Sequence, residues 1–540
     1  MSNTTQSLYT EKAKEGMASP TLQASLSDLQ SRYGKGAMKA WAEMDDQQTR
    51  DRVKASRMNT LEYLDIILTE LAKNVRKRGG HVYFAKTAQD AIDYTREVAK
   101  RNNVKTVVKG KSMTSIEIDI DPALEEDGIE IVETDLGEYI VQLAGDQPSH
   151  IIAPCIHMNR EQIGQLFEDK LEIDYTSDPP TLTMAARKAL RKKLLSAEMG
   201  LTGCNLACAE TGQISLVSNE GNIRMATTMP KVHVALMGME RVVATFDQHR
   251  ETLQLLTKAA ALQKLSTYVS FTGGPRGKDD PDGPEEFHLV IIDNGRSKIL
   301  GSPEFKEVLA CIRCGACLNI CPVYGKIGGH AYSATYPGPI GAVITPLLDG
   351  INKHADLCKG ETLCGSCLDI CPVKNDLPRM LSELRYKLAY GNNDWDVRQH
   401  NVQESYIYSC WKRVVTSSFL YRNMIKIGRL AQLPFGGRNK MMKKMGKIGA
   451  GWTADRDLPP IAKKTFAEIW KKKYAQKIKA QEEAATPPET EEVLPTYREQ
   501  PEQPEPPVQP EETLSIEQEE TEVQPEIQVT EEQKKVKADE

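Results

Sequence analysis

The sequence predicts an α/β domain built on a largely parallel sheet, followed by a cysteine-rich domain, a basic helical region and an acidic tail. Three observations predict this order. Strand-sized apolar runs alternate with helix-length segments up to residue 300. Eight of the 12 cysteines then fall within residues 311–371. Finally, residues 411–480 carry 18 basic and 3 acidic side chains, whereas residues 481–540 carry 4 basic and 19 acidic ones, within a net charge of −6.

The N-terminal segment, residues 1–80, is predicted to be helical because apolar residues recur at i, i+3 and i+4 in residues 59–71. The α/β domain is assigned to residues 81–300. Its strands are predicted at residues 81–85, 104–110, 128–135, 149–154, 213–217, 233–237 and 288–292, and helices at 87–103, 160–170 and 251–262.

The cysteine-rich domain is assigned to residues 301–390 and the basic helical region to residues 391–480. Residues 481–540 contain nine prolines, one aromatic residue and many Glu and Gln residues. Such a segment buries too little apolar surface to offset its ordering entropy, so it is predicted to be disordered.

Several classes of protein are excluded by composition. No apolar run approaches the roughly 18–20 residues that span a bilayer, and the N-terminus lacks the basic and apolar regions of a signal peptide. A cytoplasmic protein is therefore predicted, in which closely spaced cysteines are metal or redox ligands rather than disulfides. The segment Gly273–Lys278 is one residue short of a phosphate-binding loop, and Asp279 follows where Ser or Thr is required, which favours a simple turn.

The cysteines form two related motifs. The first, Cys311 to Pro322, fits C-x2-C-x2-C-x3-C-P without exception, and the second has Cys358 followed by C-x2-C-x3-C-P from Cys364 to Pro372. This spacing is typical of paired [4Fe–4S] clusters, where the fourth cysteine of each motif binds the other cluster. A zinc ribbon, the main alternative, uses paired C-x2-C knuckles and needs no triple cysteines ending in C-P.

The crossover rule predicts the ligands of two clusters. A regular repeat would place a cysteine at position 361, which is Glu361, so Cys358 is the nearest substitute for the fourth ligand of the second cluster. Without it, that cluster would have three irons or be a labile four-iron cluster. The predicted ligands are Cys311, Cys314, Cys317 and Cys371 for the first cluster, and Cys321, Cys364 and Cys367 for the second, with Cys358 as the substitute for its fourth ligand.

The remaining cysteines, at positions 155, 204, 208 and 410, are interpreted as small buried apolar residues. Cys204 and Cys208 leave open a redox pair or a further metal site. His157, beside Cys155, is interpreted as a packed histidine.

Four long motifs carry a resemblance to a known family. They are GKSMTSIEIDIDPALEEDGIEIVETD with its continuation to residue 163, AETGQISLVSNEGNIRMATTMPKVHVALMGMERV at residues 209–242, GGHAYSATYPGPIGAV at residues 328–343 and GWTADRDLPPIAKKTFAEIW at residues 451–470. With the cysteine core they resemble the lactate utilization protein B family over residues 10–472. The family typically has three cysteines in the second motif, so Cys358 is a departure, and the tail beyond residue 480 has no counterpart.

The resemblance implies a lactate-utilisation (LUD) domain of the NagB/RpiA/CoA-transferase-like fold, an α-helical-type dicluster ferredoxin domain and a helical C-terminal region. It also implies a role in oxidising L-lactate to pyruvate with two partners. One resembles a cysteine-rich heterodisulfide-reductase-type protein, and the other is a stand-alone LUD protein.

The chemistry of the clusters favours a carrier over a catalyst. Lactate oxidation releases two electrons, whereas a cubane cluster passes one at a time. The first hypothesis is therefore an electron-transfer subunit of an L-lactate dehydrogenase complex. The second is that the LUD domain itself binds or oxidises a 2-hydroxy acid or another small substrate, since polar residues follow its strands. The candidates are Glu210, Asn219 and Arg224, with Thr211, Glu220 and Asn222.

A third hypothesis, an iron–sulfur sensor or regulator, is disfavoured because no helix-turn-helix pattern and no interleaved aromatic residues are present, and no nucleic-acid partner is predicted. In residues 411–480, basic residues alternate with Met, Ile and Leu. This pattern suits a peripheral contact with anionic lipid. Docking of a partner subunit and a solvated basic face are the alternatives.

Overall fold

The structure is a computed structural model that describes residues 4–41, 46–398, 402–436, 441–443, 453 and 456–485. The contacts divide the chain into two units, Met1–Tyr421 and Arg422–Glu540. The first unit contains both the α/β domain and the cysteine-rich domain.

Five helices precede the first strand. They are α1 (Thr4–Ala18), α2 (Pro20–Leu29), α3 (Lys35–Trp41), α4 (Asp46–Glu62) and α5 (Leu64–Lys77), with a short π-helical turn at Gln30–Gly34 between α2 and α3. Ser19 caps α2 by accepting the Leu22 N–H, and Pro20 occupies the first helical position. The apolar side chains of α2 share a core with the cysteine-rich domain, whereas those of α5 pack on the α/β sheet. The predicted N-terminal helical segment therefore belongs to both domains.

The main sheet has six strands in the order β1-β10-β7-β4-β2-β3, and all its pairings are parallel. A second sheet has four strands in the order β8-β5-β6-β9. Every residue of β7 is buried, as expected of a central parallel strand with a continuous apolar sequence. The strands are β1 (His81–Ala85), β2 (Thr106–Lys109), β3 (Glu130–Glu133), β4 (Met199–Thr202), β5 (Leu206–Cys208), β6 (Gln213–Ser218), β7 (Val232–Gly238), β8 (Val242–Val243), β9 (Tyr268–Thr272) and β10 (Glu286–Ile292).

Six of the eight helices of the α/β domain start at a side-chain cap, and α8 and α12 do not. Thr87 with Asp90, and Thr245 with Gln248, form capping boxes at the starts of α6 and α13. The helices are α6 (Ala88–Arg101), α7 (Met113–Glu117), α8 (Ile120–Glu126), α9 (Leu136–Ala144), α10 (Arg160–Leu171), α11 (Pro179–Ser196), α12 (Asn222–Thr228) and α13 (Phe246–Ala261).

The structure corrects one predicted strand. Residues 149–154 form turns rather than a strand. His150 is buried, and its Nδ1 accepts the N–H groups of Ile152 and Ala153 at 3.0 and 3.1 Å. These local hydrogen bonds occupy the backbone donors that a sheet ladder would need. The apolar pair Ile151-Ile152 therefore misled the strand prediction.

The cysteine-rich domain consists of short helices around the buried helix α17. Its helices are α14 (Arg296–Leu300), α15 (Ala316–Ile320), α16 (Tyr324–Ile327), α17 (Gly338–Asp349), α18 (Ala355–Lys359), α19 (Ser366–Ile370) and α20 (Leu377–Tyr390), with 3-10 turns at Lys306–Ala310 and His330–Tyr332. Ten residues of α17 are buried, so this helix forms the centre of the domain's core.

The C-terminal part is helical where it is described. Its helices are α21 (Val402–Thr416), α22 (Ser418–Ala431), α23 (Leu433–Gly436), α24 (Phe466–Lys473) and α25 (Ala475–Ala485). Residues 486–540 lie outside the described residues, so the disorder predicted for the acidic tail stays a prediction. No helix of the described part is long and apolar enough to cross a membrane.

Candidate iron–sulfur centre

The two cysteine motifs fold as a structural repeat with an offset of 50 positions. Arg313 and Leu363 both adopt left-handed backbone conformations, with φ of 58° and 57°, directly before Cys314 and Cys364, which are equivalent in the repeat. Gly315 and Gly365 follow with φ of 75° and 87° and start the matching helices α15 and α19. A positive φ is uncommon for Arg and Leu. Its recurrence at equivalent positions indicates that the two motifs share the same backbone geometry.

The first predicted ligand set is gathered in the interior. Burial raises the pKa of the Cys314 thiol, and the neighbouring Cys371 and Cys311 raise it further. Burial likewise raises the pKa of Cys317, with further increases from Cys311, Cys314, Cys367 and Cys371. The four thiols of this set thus lie within electrostatic reach of one another although Cys371 is distant in sequence, as the crossover rule predicts.

Backbone amides point at the predicted ligand sulfurs. The Arg313 N–H donates to Cys311 Sγ at 3.4 Å, and the Asn375 N–H donates to Cys371 Sγ at 3.3 Å. In the second set the Tyr324 N–H donates to Cys321 Sγ at 3.4 Å. Such hydrogen bonds stabilise the negative charge of cluster thiolates. Clustered soft sulfur donors with aligned amides fit an iron–sulfur cluster well.

Buried arginines surround the first set. Arg241 Nη1 donates to the Cys311 carbonyl at 2.8 Å, and Arg50 Nη2 donates to the carbonyls of Cys371 and Asp369, both at 2.7 Å. Arg57 is fully buried and donates to backbone carbonyls of both domains, including Leu309 at 3.1 Å. Burial lowers the pKa of Arg57 to about 9. These cations bring positive charge to the ligands of the first set.

The second set lies closer to solvent. Cys321, Cys364 and Cys367 line a small cavity together with Glu361, and Cys364 is exposed. Hydrogen bonds from the Ser366 side chain and backbone lower the pKa of Cys364. The Cys321 thiol donates to Glu361 Oε2 at 3.2 Å. A carboxylate thus accompanies the three predicted thiols.

Cys358 does not line that cavity. Its side chain is fully buried in the helical core, and its thiol donates to the His354 carbonyl one turn earlier at 3.6 Å. Arg385 Nε holds the Cys358 carbonyl at 2.7 Å. The contacts of Cys358 are those of a packed core residue, and the tentative assignment of this cysteine as a ligand gains no support from them.

A buried ion network joins the α/β domain to the cysteine-rich domain. The Arg296 guanidinium binds Glu117 at 2.7 and 2.8 Å and Glu240 at 2.7 Å. Glu117 also accepts a hydrogen bond from the Tyr336 hydroxyl at 2.6 Å, and the Arg313 guanidinium lies 4.3 Å from the centre of the Tyr336 ring. Burial opposes ionisation of Glu117, but Arg296 and the hydrogen bonds outweigh it and lower the pKa to about 2.

A cavity of about 340 Å³ opens beside the first set. Thr202 lies at the carboxyl end of β4, while Lys111 and Asp135 follow β2 and β3. This is the edge of a parallel sheet where ligands usually bind. Arg241 and Arg313 complete the lining.

The predicted substrate residues do not all reach this cavity. Asn219 and Glu220 line it. Glu210 instead accepts the Phe246 N–H at 2.8 Å at the start of α13, and the Arg224 guanidinium lies 5.5 Å from the centre of the Tyr268 ring. Asn222 is buried and bonds the Ser218 hydroxyl at 3.2 Å, and the Thr211 hydroxyl accepts the Gln213 N–H at 3.3 Å.

The cationic lining residues Lys111, Arg241 and Arg313 were missed from the sequence. The sequence offered a signal for Arg313, because this residue lies between two motif cysteines. The role of Arg241 depends on tertiary contacts and had no such signal. Of the remaining cysteines, Cys204 lines the cavity, and burial raises the pKa of its thiol to about 12. Cys208 is buried within β5, whereas Cys155 and Cys410 are partly buried.

Comparisons with known proteins match both domains. Residues 68–292 match the LUD domain family, and residues 307–375 match the 4Fe-4S dicluster domain family, which implies iron–sulfur clusters. A DUF162 family protein from Deinococcus radiodurans of known structure is 13% identical, with a TM-score of 0.25, covering 42% of this chain and 98% of its own.

Curated relatives match over most of the chain. The lactate utilization protein B of Bacillus velezensis is 41% identical over 471 residues, which cover 87% of this chain and 98% of the relative. That of Bacillus licheniformis is 42% identical, with 87% and 97% coverage, and that of Bacillus subtilis is 41% identical, with 85% and 95% coverage. The family resemblance is thereby confirmed, and the chain belongs to the lactate utilization protein B family, with a LUD domain followed by a 4Fe-4S dicluster domain.

Proposed function

We propose that this protein is an electron-transfer subunit in the oxidation of L-lactate to pyruvate. The observation that carries the proposal is the arrangement of its two cysteine sets. Cys314 of the first set is buried, Arg313 beside it lines the cavity of about 340 Å³, and Cys364 of the second set is exposed. The two sets would thus offer electrons a route from the cavity to the surface of the protein.

Two [4Fe–4S] clusters are proposed as the cofactors. Cys311, Cys314, Cys317 and Cys371 would hold the first, and Cys321, Cys364 and Cys367 would supply three ligands of the second. When bound, such clusters supply one-electron transfer. The arginines around the first set would favour its reduced form, because added negative charge is stabilised by nearby cations.

The partners belong to the same proposal. A cysteine-rich heterodisulfide-reductase-type protein and a stand-alone LUD protein would complete the lactate-oxidising complex. Residues 411–480 would provide a peripheral contact with an anionic membrane surface or with a partner. The names of the relatives, which refer to lactate utilization, support the pathway.

Replacing Cys314 or Cys367 with serine is expected to remove the EPR signal of the corresponding cluster, because a serine oxygen replaces a soft thiolate ligand. Lactate-dependent reduction in a mixture with the partner proteins should be lost as well. Anaerobic EPR before and after lactate addition measures both effects. Cys410→Ser is the control and should retain both the EPR signals of the clusters and lactate-dependent reduction. Unchanged lactate turnover in the Cys314 or Cys367 variants would refute the carrier role.

A second candidate function is binding of a 2-hydroxy acid in the 340 Å³ cavity. The cationic side chains of Lys111, Arg241 and Arg313 favour it, since a carboxylate pairs with such groups. Titration calorimetry of the full-length protein with L-lactate should then show saturable binding that is weakened about tenfold in Lys111→Gln, if an ion pair worth about 1.4 kcal/mol is lost. Lys298→Gln, on the surface, is the control. Absence of saturable binding would leave the carrier role without a substrate site in this chain.

A further inference from the structure

The repeat places Glu361 where the first motif has a ligand. Each motif position recurs 50 residues later, so that Cys314, Cys317 and Cys321 correspond to Cys364, Cys367 and Cys371. The same offset pairs Cys311 with Glu361. The matching φ values at residues 313 and 363 show that the backbone repeats as well as the sequence. The chain therefore presents the Glu361 side chain from the backbone position of a ligand.

The surroundings of Glu361 suit a metal ligand. The side chain is buried, with 8% exposure, and lines the cavity that Cys321, Cys364 and Cys367 share. Oε2 lies 3.2 Å from Cys321 Sγ, and Oε1 accepts the Tyr332 hydroxyl at 2.7 Å. One oxygen is thus fixed by a phenol while the other faces the thiols.

The charge of this carboxylate is not neutralised by a close cation. Among the described residues, Arg385 is the basic residue acting on Glu361, and its Nη2 donates to the Glu361 backbone carbonyl at 2.6 Å rather than to the side chain. A buried acid without an ion pair is costly, and coordination of a metal ion would offset that cost.

We propose that Glu361 Oε2 is the fourth ligand of the second cluster, completing the set Cys321, Cys364 and Cys367. Cys358 remains in the core. The inference rests on the proposed pair of clusters and deepens it. A carboxylate is a harder donor than a thiolate and holds a cluster iron less firmly. One iron of the second cluster is therefore distinct from the other three and is the first to be released.

Three variants of the full-length protein, reconstituted anaerobically, test the ligand. The wild type should contain about eight irons per chain, four for each cluster. Glu361→Gln should contain about seven, because the isosteric amide keeps the shape but loses the anionic donor. Cys358→Ala should match the wild type, and Glu361→Cys should retain all its irons. The iron content and the Mössbauer spectrum of each are measured.

Mild oxidation provides a second test of the fourth ligand, by comparing the loss of iron from the wild type and from Glu361→Cys. Treatment with ferricyanide, a one-electron oxidant, should remove one electron and one Fe²⁺ per chain from the wild type and give the EPR signal of a three-iron cluster. Glu361→Cys should resist this loss, because four thiolates hold its second site. The Mössbauer signal of the distinct iron should be present in the wild type and absent from Glu361→Cys.

Each remaining outcome would contradict the assignment of Glu361 as the fourth ligand. Loss of iron in Cys358→Ala with a normal Glu361→Gln would show that Cys358 moves in as the ligand. Normal iron content and an unchanged Mössbauer spectrum in both would show an exogenous ligand. The signal of the first cluster serves as the internal folding control in every variant. If the wild type itself lacked clusters, the proposed function would fail, which is distinguishable from failure of the ligand assignment alone.

Discussion

Replacing Arg296 with methionine is expected to lower the free energy of unfolding by about 3–5 kcal/mol, the usual cost of breaking a buried ion pair from one side. Arg296 is 1% exposed and binds two buried carboxylates, Glu117 and Glu240. Methionine approximates the volume of the side chain, so the loss comes chiefly from Glu117, which is left without its cation, and from Glu240, which keeps only the pair with Arg313 at 3.5 Å. Anaerobic urea unfolding followed by circular dichroism measures it.

The surface pair Arg276–Glu285 supplies the matched control. Its side chains are 39% and 50% exposed, and the nitrogen–oxygen distance is 2.9 Å. Arg276→Met should change the free energy of unfolding by about 0–1 kcal/mol, because solvent screens an exposed pair. Adding Glu117→Gln to Arg296→Met should recover part of the loss, because Glu117 then carries no unpaired charge, whereas Glu240 keeps its ion pair with Arg313 at 3.5 Å. Equal effects of Arg296→Met and Arg276→Met would contradict the importance of the network.

Replacing Arg241 with glutamine is expected to lower the reduction potential of the proposed first cluster by on the order of 100 mV. The charge of Arg241 lies beside the Cys311 carbonyl that its Nη1 binds. At an effective dielectric constant of about 20, a unit charge several ångströms away is worth ~3 kcal/mol, which for one electron corresponds to a shift of that size. Removing the cation therefore makes the electron harder to add.

The measurement is an anaerobic potentiometric titration monitored by EPR. Arg241→Lys keeps the charge and should remain close to the wild-type potential, which separates electrostatics from packing. The second cluster acts as an internal reference and should shift much less. If the glutamine and lysine variants shift equally, the effect of Arg241 is not carried by its charge.

The sequence predicted those parts of the fold whose signals are local. The strands β1, β7 and β10 lie in continuous apolar runs, and the predicted helix at residues 87–103 agrees with α6, which is capped by Thr87. The cap at Thr245 was not recognised, so α13 was predicted to begin at residue 251 although it begins at Phe246. Strands β5 and β8 have only three and two residues and were missed, since so short a run carries no period. The strand prediction for residues 149–154 was wrong because the His150 side chain accepts hydrogen bonds from the nearby backbone N–H groups of Ile152 and Ala153.

The candidate site was likewise predicted only where its signals are local in the sequence. Cysteine spacing located both sets because the ligands of a motif are neighbours in sequence. The position of Glu361 was noticed only as a gap in the repeat, since its carboxylate gains meaning from Tyr332, which approaches through the fold. The arginine contacts around the first set were equally invisible, because Arg50 and Arg57 come from helix α4, more than 250 residues away from the carbonyls of the cysteine-rich domain that they bind.

The contact between Gln30 and Cys321 has a consequence for biosynthesis. The Gln30 side chain donates to the Cys321 carbonyl at 2.8 Å across 291 residues, and Gln23 holds the Lys326 carbonyl at 2.7 Å in the same way. The first helices to be synthesised therefore lack these two partners until the first cysteine motif and the residues directly after it have been synthesised. Contacts of such sequence separation form late in folding. Docking of the N-terminal helices onto the cysteine-rich domain is therefore expected to be a late step of folding.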